Sequence, residues 1–162
     1  MLFPVDLGRL TRGEAIAAGS GLILLVVMFL PWFSENAPVE IPGVRTIDVT
    51  QETHNAWQSL GLIDVLLLVV VLLALGVALA HAAGVTPDDP ALPPSLFVTA
   101  AGLFAVILIL YRLADPPAPT IELPVGEADV GRRIGLLLGL LAAAGISFGG
   151  YLTLTEGRTR RQ

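Results

Sequence analysis

The chain has 162 residues and a formal net charge of −5; only 14% of its residues are charged against 54% hydrophobic, and its mean hydropathy is +0.79. A water-soluble domain of this size leaves too much surface exposed to hide that much apolar material, so lipid is the expected solvent for most of the chain. The acidic balance excludes the basic face of a nucleic-acid binder, and the lack of cysteine excludes disulfides, thiolate metal sites and thiol nucleophiles.

A crossing needs about 20 mainly apolar residues. Four stretches qualify, at residues 15–33, 56–83, 94–113 and 134–154, and they predict one all-α transmembrane four-helix bundle over residues 1–162. The first stretch lacks a small-x-small cleavage site and ends in Leu30-Pro31-Trp32-Phe33, so it reads as a retained helix and not as a signal peptide. Continuous apolar runs, without alternation, favour helices over a membrane β-barrel.

Trp32 ends the first stretch, Trp57 opens the second and Tyr111 ends the third, so four antiparallel crossings put all three at one interface as anchors; Tyr151 falls near the other. Arg9, Arg12, Arg158, Arg160 and Arg161 flank the termini, against Arg45, Arg112, Arg132 and Arg133 on the opposite side. That asymmetry predicts a multi-pass protein of the cell membrane with both termini in the cytoplasm.

The outer side then receives loops at residues 34–55 and 114–133. Both are acidic, with Glu35, Glu40, Asp48 and Glu52 in the first and Asp115, Glu122, Glu127 and Asp129 in the second. Residues 44–50 are rich in β-branched side chains and residues 120–123 are a shorter strand candidate, while Pro38, Pro42, Pro116, Pro117, Pro119 and Pro124 limit strand length. Two outcomes stay open: a small extracellular β element joining the loops, or two irregular solvated loops. The halves of the chain also look alike, Gly21-Leu22 matching Gly102-Leu103, and Gly61 before Leu66-Leu67-Leu68 matching Gly131 before Leu136-Leu137-Leu138. Duplicated hairpins or chance similarity among leucine-rich segments both account for this.

Asp64 carries the most information. A carboxylate within a span costs about 2.5–3.5 kcal/mol at its centre and less nearer the interface, so it needs a partner or a proton. Arg133 is the first expected partner and Arg112 the second, and the alternative is a proton or cation site. In the fourth stretch Gly131, Gly135, Gly139, Ala143 and Ser147 recur every fourth residue, and Gly13, Ala17 and Gly21 repeat the pattern in the first. Such small faces let helices approach closely in lipid, within one chain or in a homo- or hetero-oligomer. His54 and His81 fall on opposite sides of the membrane and cannot share a metal, Asp88-Asp89 read as turn residues, and Glu14 suits the positive end of its helix. No metal site, cofactor site or nucleophile–base pair is expected.

Leu30-Pro31-Trp32-Phe33, Asn55-Ala56-Trp57 and Leu62-Ile63-Asp64-Val65-Leu66 together resemble a group of uncharacterised small four-helix membrane proteins of high-GC Gram-positive bacteria. The resemblance covers the first two helices and their loop, and it implies no activity or cofactor. The layout is also similar to the claudin type, without the cysteine pair of that family's first loop. The expected function is a non-enzymatic structural or accessory membrane protein whose partners are the bilayer and other helices. The alternative is a small transporter or channel subunit built on Asp64. Enzyme action on a lipid has no motif behind it.

Overall fold

The computed structural model describes residues 7–39, 47–59, 61–85, 92–116 and 129–159. The strand candidate at residues 120–123 lies outside them, as do Glu40, Arg45, Asp88, Asp89, Glu122, Glu127, Arg160 and Arg161. A 3-10 turn at Leu7–Arg9 leads into helix α1 (Arg12–Val27), followed by strands β1 (Pro31–Val39) and β2 (Ile47–Asn55). A helical turn α2 (Ala56–Ser59), helices α3 (Leu62–Ala82) and α4 (Pro94–Ala114), strand β3 (Asp129–Arg132) and helix α5 (Ile134–Thr159) complete the order. Among the described residues three helices, α3, α4 and α5, are long and apolar enough to cross a membrane.

The first helix, expected over residues 15–33, instead runs Arg12–Val27. Its start is set by a capping box: Thr11 Oγ1 accepts from the Glu14 N–H at 3.2 Å, and Glu14 Oε2 accepts from the Thr11 N–H at 2.9 Å. Its end is set by Pro31, which has no N–H to donate and disfavours helical geometry at Leu30. The chain tightens before it, with the Phe29 and Leu30 N–H groups donating to the Val26 and Val27 carbonyls. The second helix, expected unbroken over residues 56–83, is interrupted at Gly61, whose φ of +58° favours glycine. The fourth continues past residue 154 to Thr159.

Of the two outcomes open for the outer loops, the structure has the sheet. It is antiparallel in the order β2-β1-β3, with Phe33 opposite both His54 and Arg132. Its strands come from both loops, and β1 begins inside the segment expected to be helix. The sheet is tied to the helices where it begins: the Ala56 N–H donates to the Met28 carbonyl at 3.1 Å, and the Arg133 N–H to the Trp32 carbonyl at 2.9 Å.

Helix α1 packs against α3 and α5, and α4 packs against the same two, so α3 and α5 lie on a diagonal. The burial pattern is inside-out for a protein in water. Along α3 the residues facing in include Ala74, Ala78 and Ala82, while Leu62, Val65, Val69, Leu72 and Leu79 face out. The core is completed by Leu24, Leu67, Val71, Ala105, Ile109 and Ile146.

Candidate functional site

The small-residue face of α5 begins one repeat later than expected, because Gly131 lies in β3, where its carbonyl accepts from Ser34 Oγ at 3.5 Å. Gly135 and Gly139 then meet the chain that follows α1. A Cβ at Gly135 would come within 2.5 Å of the Pro31 carbonyl oxygen, and one at Gly139 within 2.7 Å of the Trp32 ring. Ala143 is buried, and the Ser147 backbone fills the space a Cβ would need at Gly102 of α4. The face expected on α1 divides between two neighbours: Gly13 and Ala17 touch α5 at Gly149, whereas Gly21 touches Ala74 and Leu75 of α3. The expectation missed a second small face on α5, made by Gly145 and Gly149 against Ser20, Ala17 and Gly13 of α1, and by Gly150 against Thr99 of α4. The density of glycine between Gly145 and Gly150 was the available signal.

The three aromatic residues expected as interface anchors separate. Trp57 and Tyr111 are exposed, Trp57 tilted against Phe29 at 5.9 Å and Tyr111 donating to Asp115 at 2.9 Å. Trp32 is instead fully buried and donates its Nε1–H to the Val27 carbonyl at 2.8 Å. Because the helix stops at Val27, the strand turns this side chain back over the glycines of α5.

Asp64 is buried in the first turn of α3, not two turns inside a helix, because of the break at Gly61. The charge of Arg112 acts on its carboxylate across the α3–α4 contact. Arg112 donates to the Ser59 carbonyl at 3.3 Å, while its Nε and the Oδ1 of Asp64 are buried without a hydrogen-bond partner. Arg133, the first expected partner, is exposed at the start of α5, and α5 lies diagonal to α3. Matching positions in the two halves therefore belong to opposite corners of the bundle. Arg132 is also exposed and donates to the Leu113 carbonyl at 2.9 Å.

A second buried carboxylate, Glu14, sits at the other end. Besides closing the capping box, its Oε1 meets Nδ1 of His81, in the last turn of α3, at 2.6 Å. In the sequence Glu14 reads only as a dipole partner, and His81 only as a residue across the membrane from His54. Antiparallel neighbours α1 and α3 put the start of one beside the end of the other, and that adjacency was the missing step. Among the described residues no group of three or more His, Cys, Asp or Glu side chains is placed to hold a metal. No protein-family model and no curated protein matches this chain.

Proposed function

We propose that the chain is a non-enzymatic structural or accessory protein of the cell membrane, crossing it with four helices, its termini in the cytoplasm and its sheet outside. The observation that carries this reading is the inside-out burial. Large apolar side chains such as Leu22, Ile23, Leu72, Phe104, Ile107, Leu141 and Phe148 face out, while glycine and alanine line the helix contacts. In water such a surface would associate; in lipid it is solvated, and small residues gain close packing. Helix α1 has only 16 residues, about 24 Å at 1.5 Å per residue. The segment after it completes the crossing, since its backbone is hydrogen-bonded to α1, α2 and the start of α5 and so tolerates burial away from water.

The ionisable groups support a structural role, because the buried Glu14 carboxylate caps its own helix and the charge of Arg112 acts on the buried Asp64 carboxylate. Association with other helices would use the outer faces. A second reading, transport through an ion or proton site at Asp64, rests on its unpartnered Oδ1.

The lack of native cysteine makes topology directly measurable. In intact cells an impermeant maleimide should label Thr53→Cys in β2 and should reach Gly157→Cys in α5 only after permeabilisation. Labelling of both, or of neither, before permeabilisation would overturn the four-crossing topology. In reconstituted vesicles the structural reading expects no ion flux, and flux abolished by Asp64→Asn would favour transport.

A further inference from the structure

At the end of the bundle that carries the termini, a cavity with about 10 Å³ of space opens between all four long helices. We infer that this cavity binds one water molecule, held by Glu14, Ser95 and Thr153. A buried water needs about 10–15 Å³ and two to four polar partners, so the space admits one water and no larger guest. Most of the wall is apolar, from Ala17, Ala74, Val77, Ala78 and Val98, and the three polar residues come from α1, α4 and α5.

The hydrogen-bonding capacities match a single water. Glu14 already accepts one bond at each carboxylate oxygen, from His81 and from the Thr11 N–H, and each oxygen can accept another. Thr153 donates its hydroxyl proton to the Gly149 carbonyl at 3.1 Å and keeps acceptor capacity. Ser95 is buried, and its hydroxyl makes no bond to a described residue, which leaves its proton to donate. The water accepts from Ser95 and donates to Glu14 and to Thr153, three bonds in all. It would tie α1, α4 and α5 together and extend the His81–Glu14 contact into the bundle. The polar chain ends there, since Leu24, Val71 and Ala105 beyond it are fully buried and apolar. The site does not depend on the function proposed above.

A crystal structure of the full chain grown from lipid, at a resolution that shows ordered water, tests the site directly. The expected result is one density peak in the cavity within hydrogen-bond distance of Glu14, Ser95 and Thr153. An empty cavity amid well-ordered neighbours would overturn the inference. The variant Ala78→Val adds methyl groups to the wall and should expel the water, removing the peak and lowering Tm, because Glu14 and Ser95 lose a partner. A raised Tm in that variant would mean that a dry void had been filled, and the water site would be wrong.

Discussion

The two ends of the bundle solve one problem with unequal completeness. Each buries a carboxylate in the first turn of a helix, Glu14 on α1 and Asp64 on α3, and at the terminal end Glu14 bonds back to the N–H of its cap residue, Thr11. That arrangement satisfies an N–H with no partner in the helix and places negative charge at the positive end of the dipole. The ends differ further in the neighbouring helix. His81 reaches Glu14 at 2.6 Å, whereas Arg112 acts on Asp64 through its charge while Asp64 Oδ1 has no hydrogen-bond partner. A buried charge is stabilised most where a direct bond accompanies the Coulomb attraction. The terminal end should therefore be the firmer of the two.

The largest expected effect comes from removing the carboxylates. Glu14→Ala should cost about 3 kcal/mol, from one cap bond and one charge-assisted bond, and Asp64→Ala about 1 kcal/mol, measured by reversible unfolding in mixed micelles. Equal losses would break the comparison. Double-mutant cycles sharpen it: Glu14 with His81 should couple by about 2 kcal/mol and Asp64 with Arg112 by less than about 1 kcal/mol. A stronger second coupling would show that charge at a distance binds as well as contact.

The ends also use glycine differently. At the terminal end Gly149 meets the backbone of Gly13 and Ala17, which cannot yield; at the sheet end Gly139 meets the Trp32 side chain. Either glycine changed to Ala should cost about 1–3 kcal/mol by overpacking. Trp32→Phe should restore part of the loss at Gly139 and none at Gly149, and restoration at both would mean that the lesion is helix propensity and not a collision. The smallest effect concerns the exposed aromatic residue: Trp57→Phe should change stability by no more than about 0.5 kcal/mol, against about 1–2 kcal/mol for Trp32→Phe, which loses the bond to Val27.

How much was legible depended on the range of the interaction. The apolar segments at α3, α4 and α5 stood out because hydropathy accumulates along the chain. Pro31 was visible too, but its consequence was misjudged by extending the helix to Phe33, and the buried place of Trp32 followed from that one boundary. Asp64 was singled out as the charge needing an explanation. Its partner was not, because choosing between Arg112 and Arg133 requires knowing which helices are adjacent and which are diagonal. Glu14 and His81 are 67 residues apart, and nothing local marks them as a pair.

By itself the sequence determined the apolar composition, the apolar helices, the anion at the start of the first helix and the small-residue spacing that lets helices touch, since each depends on side-chain chemistry or on neighbours within a few turns. Only the tertiary structure decided which glycine meets which helix, that Trp32 fills the space over Gly135 and Gly139, and that Glu14 meets His81 while the charge of Arg112 acts on Asp64. Those choices depend on how four helices are arranged around one axis, and helices of similar apolarity can be arranged in more than one way until specific contacts select among them.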